Sequence, residues 1–198
     1  ADRPDLPGGT AAVTEVVSAG PPARRRPAPG ERRASVVIPA FREADVIASS
    51  VRRLRAELEP RLGEVEIVVV DDGSDDATAE EARTAGADVV VECVVNRGKG
   101  AAIRRGVSVA EGRTIAFTDA DLAYSPDQVA TLVALVEEGW DVVLGSRHLP
   151  GSVAEVPATL LRRVGGRVIN RCVRVVVGDH EDTQCGLKAF RSDVARVL

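Results

Sequence analysis

Two acids one residue apart, Asp119-Ala120-Asp121, follow the apolar run 114–118. At a strand end, carboxylates at that spacing can offer oxygens to a hard divalent cation. Mg²⁺ or Mn²⁺ held by so few carboxylates fills its shell with water and substrate phosphate. A second acidic group, Asp71-Asp72-Gly73-Ser74-Asp75-Asp76, follows the run 66–70. Its first two acids can accept hydrogen bonds from a base or ribose, whereas Ser74 and Asp75 suit the cap of a following helix. Asn96-Arg97-Gly98-Lys99-Gly100 sets two cations on a Gly-rich turn that lets backbone approach a phosphate. Gly145-Ser146-Arg147-His148 adds a guanidinium able to grip phosphate bidentately, with His148 reading as structural. Around His180, the acids Asp179, Glu181 and Asp182, with Gln184 beyond them, look catalytic or metal-binding, and equally like a solvated acidic loop.

The elements that must position these groups alternate along the chain. Short β-branched runs at 35–39, 66–70, 89–95, 114–118 and 141–144 are separated by helix-length amphipathic segments near 43–58, 75–86, 99–111 and 126–138. Near-continuous apolar strands between helices predict a mostly parallel sheet covered on both faces, which binds ligands at the carboxyl ends of its strands. The acids and cations above fall at those ends. Residues 157–177 carry apolar residues at three- and four-residue spacing with five arginines between them. They read as a core helix or as one lying on an anionic membrane surface. The last residues, 192–198, read as a helix inside which the chain stops, which leaves open whether Leu198 is the native end.

Residues 1–33 are rich in Pro and Gly and carry Arg24-Arg25-Arg26, so they read as a disordered tail. The remainder, 34–198, reads as one domain. An apolar content of 44% with 28% charged residues supports a real core. No apolar run is long enough to span a bilayer, and no cationic start precedes an apolar block as in a secretory signal. The chain holds no Met, so its natural start is expected upstream of Ala1 or removed. A net charge of −4 disfavours binding nucleic acid through bulk charge. Cys93, Cys172 and Cys185 lack metal-ligand spacing and read as reduced thiols. The absence of a Walker loop and of G-x-G-x-x-G after the first strand removes the main support for nucleotide-triphosphate and dinucleotide binding.

Taken in order, Ile38-Pro39-Ala40-Phe41-Arg42-Glu43, the V-D-D-G-S-x-D stretch, N-x-G-K-G, D-A-D and G-S-R resemble glycosyltransferase family 2 from about residue 35 to the chain end. Within that family, N-x-G-K-G, G-S-R and D-T-Q-C-G-L-K-A-F are most similar to the polyprenyl-phosphate branch. The D-T-Q-C-G form is closest to the dolichyl-phosphate β-glucosyltransferases. The resemblance implies an α/β domain of GT-A type, with a mostly parallel Rossmann-like sheet and helices on both faces. It implies a metal-dependent enzyme using Mg²⁺ or Mn²⁺. It would move a hexose from a nucleotide sugar, UDP-glucose before GDP-mannose, to a polyprenyl phosphate, with inversion, at the inner face of the cell membrane. Pro39, Ala40 and Glu43 would border the nucleotide, Asp71 or Asp72 would contact the base, and Lys99 would sit near the donor. Asp119 and Ala120 would face the ribose, with Asp119 and Asp121 holding the metal. Arg147 would neutralise phosphate, and Asp182 and Gln184 would lie near sugar and acceptor. Some relatives carry a metal-binding Gln where this chain has Ala123. The competing readings are a family 2 transferase acting on a soluble or polysaccharide hydroxyl, and a nucleotide-sugar-binding module without catalysis.

Overall fold

The computed structural model describes residues 14–15, 30, 32–145 and 186–197. The elements in chain order are β1 Thr14–Glu15, β2 Arg32–Ala40, α1 Ala44–Leu62, β3 Val65–Asp71, α2 Thr78–Thr84 and β4 Val89–Glu92. Then follow α3 Lys99–Val109, β5 Gly112–Phe117, α4 Pro126–Glu137, β6 Val142–Gly145, β7 Lys188–Arg191 and α5 Ser192–Ala195. The strands form one sheet in the order β1-β6-β7-β5-β2-β3-β4. β2 pairs in parallel with β3 and β5, and β3 with β4; β7 runs antiparallel between β5 and β6.

The apolar runs become central strands because both faces are covered. Every residue of β3 is buried. On one face α1 and α4 pack on Val36, Ile38, Ile67 and Val69. α1 turns Ile47, Val51, Leu54 and Leu58 inward, the spacing of a helix stripe. On the other face α3 covers Val37, Val68, Val70 and Ile115. α3 comes close because Gly106 lies against the sheet: a Cβ there would stand 2.3 Å from Val37 Cγ1. α4 begins with Pro126 in its first turn, and the Ser125 N–H donates to Gln128 Oε1 at 3.0 Å.

The mostly parallel sheet expected from the sequence is present, and β7 is an addition to it. Lys188–Arg191 has only Ala189 fully buried, so no apolar run announces it. The tail expected over 1–33 needs correction at two points. Arg32 and Arg33 begin β2, where Arg32 pairs with Gly112, and Thr14–Glu15 pair antiparallel with Leu144 and Gly145 of β6. The β-branched stretch Val13-Thr14-Glu15-Val16-Val17 was the available signal for that edge strand. The helix expected near 192–198 is short, Ser192–Ala195. The Arg-rich segment 157–177 lies outside the described residues.

Candidate active site

Pro39 and Ala40 end β2 beside Val70 and Asp71 of β3, and the Asp72 N–H extends this pairing to Ala40 O at 2.8 Å. Past Ala40 the chain turns out of the sheet, exposing Phe41 and putting Arg42 at φ 56°. A non-glycine residue holds that conformation only when its surroundings enforce it. Here the acidic loop does so. The Arg42 N–H donates to Ser74 Oγ at 2.9 Å, and its guanidinium forks Asp75 with two bonds of 2.8 Å. The Glu43 N–H donates to Thr78 Oγ1 at 2.9 Å, and the Ala44 N–H reaches Asp76.

These bonds correct the expected helix cap. Ser74 and Asp75 are spent on the β2–α1 turn, so α2 starts only at Thr78, where Asp76 accepts the Thr78 N–H and hydroxyl. The strand-end acids are also organisers. Asp71 is buried and accepts the N–H and hydroxyl of Ser74. Asp72 is buried and accepts the Arg97 N–H at 3.0 and 3.1 Å and the Gly98 N–H at 2.6 Å. That carboxylate therefore fastens the N-x-G-K-G turn to the end of β3. Gly98, at φ 86°, turns the chain from that bond into α3, and Gly73, at φ 80°, lies so close that a Cβ would meet Asn96 N at 2.8 Å.

Beyond β5 the Thr118 N–H donates to Val37 O at 3.1 Å, carrying the pairing to the edge of the D-A-D turn. Ala120 is buried and its carbonyl accepts the Ser50 hydroxyl of α1 at 2.6 Å. With that anchor, Leu122 takes φ 48°, and Asp121 projects from the surface, its Oδ1 accepting the Ala123 N–H at 3.1 Å. Lys99, the first residue of α3, pairs with Asp119 Oδ1. Gly186 leaves room for the other oxygen, since a Cβ there would come within 2.2 Å of Asp119 Oδ2. Burial first, then the negative fields of Asp121, Asp119 and Asp76, push the Glu43 carboxyl above the ordinary glutamate range.

Three carboxylates from the ends of β2 and β5 thus share one edge, with Lys99 as the cation paired among them. Among the described residues no three His, Cys, Asp or Glu side chains converge as a closed metal cage. An open, all-oxygen arrangement is what Mg²⁺ or Mn²⁺ uses when water and phosphate supply most ligands. Asp119 and Asp121 carry oxygen donors of the kind such a site uses, and Glu43, raised by burial first and by their charge second, stands beside them.

Of the sequence candidates, Pro39, Ala40, Glu43, Asp71, Asp72, Lys99, Asp119, Ala120 and Asp121 come to this one sheet edge. Arg147, His148, Asp182 and Gln184 lie outside the described residues. Sequence reasoning passed over Arg42, Ser50, Thr78 and Gly186, which hold the turns that carry the acids. Arg42 and Gly186, each inside a quoted motif, left a visible signal; Ser50 and Thr78 left none.

The model of the family described as glycosyl transferase family 2 matches residues 35–180. The chain belongs to glycosyltransferase family 2. Glycosyltransferase AglD of Haloferax volcanii is 36% identical over 190 residues, covering 90% of this chain and 30% of that protein. The undecaprenyl-phosphate 4-deoxy-4-formamido-L-arabinose transferase of Klebsiella pneumoniae is 34% identical over 173 residues, covering 84% of this chain and 51% of that protein. This family 2 domain therefore spans from under a third to about half the length of these curated relatives. Among solved structures, glucosyl-3-phosphoglycerate synthase from Mycobacterium tuberculosis, complexed with Mn²⁺, UDP-glucose and phosphoglyceric acid, is 27% identical. It superposes with a TM-score of 0.58 over 82% of this chain and 57% of that one. The GT-A type of α/β domain is common to both.

Proposed function

We propose that this family 2 domain transfers a hexose, glucose before mannose, from a nucleoside diphosphate sugar to a polyprenyl phosphate, inverting the anomeric carbon. The observation that carries the reading is the meeting of Asp119, Asp121, Glu43 and Lys99 at the carboxyl edge of β2 and β5. The printed function of the Klebsiella relative, an undecaprenyl-phosphate transferase, supports the acceptor class. Crystals of the mycobacterial synthase with Mn²⁺ and UDP-glucose support the donor and the metal.

In this account Pro39, Ala40 and Asp71 border the base, while Asp72 acts indirectly by holding the N-x-G-K-G turn. Ala120, pinned by Ser50, sets the spacing of Asp119 towards the ribose and of Asp121 towards the diphosphate. Bound Mg²⁺ or Mn²⁺ supplies Lewis-acid stabilisation of charge developing on the leaving diphosphate. Lys99 exchanges Asp119 for a donor phosphate, delivering a cation to the same oxygens. Arg147 adds a second cation, and Asp182 and Gln184 orient sugar and acceptor. A polyprenyl phosphate is already anionic near neutral pH, so Asp182 positions it and no general base is required. The enzyme works at the inner face of the membrane; no helix among the described residues is long and apolar enough to cross one.

A second reading, transfer to a soluble hydroxyl, is favoured by the mycobacterial neighbour, whose printed name is that of a phosphoglycerate-glucosylating synthase. A hydroxyl has a far higher pKa than a phosphate, so Asp182 then serves as general base. Incubation with labelled UDP-glucose or GDP-mannose, Mn²⁺, and either a polyprenyl phosphate or a soluble phosphorylated alcohol separates the readings. Label in the lipid-extractable product supports the first reading; label only in the soluble product replaces it with the second.

A further inference from the structure

The loop after β4 runs out of the sheet at the edge that carries the candidate site. Its tip is apolar and open to solvent: Val94 is 98% exposed and Val95 61%. Two isolated valines would mean little alone, since single exposed apolar residues are common. The charges beside them are what make the surface unusual. Most arginines of the described residues are spent on ion pairs or on carbonyls, as in Arg42–Asp75, Arg55–Asp88, Arg113–Glu137 and Arg191–Asp193. The arginine side chains without a hydrogen bond or ion pair among them are Arg52, Arg97, Arg104 and Arg105. Three of these four fall in the short stretch that includes the N-x-G-K-G turn and the outer face of α3.

All three are exposed, and the Arg104 guanidinium lies back towards the start of α3, with its Nη1 3.9 Å from where a Cβ of Gly100 would be. The neighbouring acids do not neutralise them. Glu92 is held by Arg83, Asp72 by the backbone N–H groups of Arg97 and Gly98, and Asp119 by Lys99. Among the described residues, uncompensated guanidinium is therefore concentrated on the turn and helix that follow the apolar loop tip, in a chain of net charge −4.

We infer that the β4–α3 loop and the outer face of α3 form a membrane-docking surface. The valines enter the headgroup boundary and Arg97, Arg104 and Arg105 meet anionic lipid phosphates. Apolar tips flanked by cations bind such surfaces through buried area and salt-sensitive attraction together, which neither half achieves alone. The inference rests on the lipid-acceptor reading, and it sets the carboxyl edge of the sheet against the bilayer where a lipid-linked phosphate would be presented.

The test is co-sedimentation of the chain with vesicles of phosphatidylcholine alone and of phosphatidylcholine with phosphatidylglycerol, at low and high salt. Two double variants, Val94→Ser/Val95→Ser and Arg104→Gln/Arg105→Gln, are compared with the parent chain. All four side chains are exposed, so thermal melts and UDP titration are expected to match the parent. The parent is expected to bind the anionic vesicles at low salt only, and each pair of substitutions to lower the partition coefficient about tenfold or more. A parent chain that ignores anionic vesicles overturns the inference. So does parent-like binding by both variants, which assigns the contact to another surface, such as one formed by 157–177. Transfer to a short, detergent-dispersed polyprenyl phosphate is scored separately. Transfer without vesicle binding overturns this inference alone, and vesicle binding through the patch without transfer overturns the acceptor reading alone.

Discussion

Asp72 and Asp121 are acids with opposite employment. Asp72 is buried with its oxygens filled by backbone N–H groups, so its work is architectural. Asp72→Ala strands the Arg97 and Gly98 donors and is expected to cost about 1–3 kcal/mol in denaturant unfolding, since each lost partner leaves an unsatisfied group. Asp72→Asn can set its amide oxygen where Oδ2 accepts both N–H groups, so it is expected to lie nearer the parent than the alanine variant. An alanine variant as stable as the parent would mean that the N-x-G-K-G turn is held by other contacts. Asp121 projects from the surface and touches only the Ala123 N–H, so its loss costs the fold little. Asp121→Asn is expected to leave the melting temperature unchanged while lowering transfer about 10²–10³-fold, the usual effect of removing a group aimed at transition-state charge. Near-parent turnover at saturating Mn²⁺ would remove Asp121 from the metal's shell.

At the scale of elements, the site is a set of loops locked to one another. Gly73 stands where β3's loop crosses the N-x-G-K-G turn, at φ 80° and with Asn96 N 2.8 Å from a would-be Cβ. Gly73→Ala must therefore shift backbone as well as accept a strained φ, a combined destabilisation of about 1–3 kcal/mol in thermal or urea melts. An alanine variant with parent stability and parent UDP affinity would show that this crossing is slack. Much of this level was legible beforehand. β2, β3 and β5 came through because buried parallel strands must be continuously apolar, and α1 and α4 because one stripe of each faces the sheet. β7 was not legible, since a strand with one fully buried residue, Ala189, is written by its neighbours β5 and β6 rather than by its own composition. The acids at the strand ends were legible as a group, but their division of labour was not. Whether Asp72 faces a base or a backbone depends on how close the β4–α3 turn comes, and residue spacing does not encode that distance. Ser50 and Thr78 were invisible for the same reason, their partners lying 70 and 35 residues away.

Across the whole molecule, the charges that brace the frame and those that serve the site respond oppositely to pH. Burial disfavours the Asp88 charge, but bonds from the Ile67 N–H, Arg55 and Arg32 outweigh it and hold its carboxyl below the ordinary 3.8. Glu137 is likewise opposed by burial, yet held below 4.5 by Arg113 and Thr114. A lowered carboxylate stabilises the fold above its unfolded-chain value and loses that contribution as pH falls through the folded one. Glu43, raised, has the reverse sign: its favourable contribution lies at acid pH and is lost as pH rises. Thermal melts are therefore expected to fall steeply on acidification below about pH 4, and Asp88→Asn to flatten that limb; an unchanged limb would mean that Asp88 does not set it. At neutral pH the carboxylates Glu43, Asp119 and Asp121 outnumber Lys99 in the candidate site, an excess that the proposed divalent cation offsets as it holds the donor diphosphate. Calorimetric titration of UDP-glucose into the chain, with Mn²⁺ and then with EDTA, tests that proposal. Binding with Mn²⁺ is expected to weaken about tenfold or more in EDTA, the loss of roughly one metal–phosphate contribution. Equal affinity in Mn²⁺ and EDTA would contradict it.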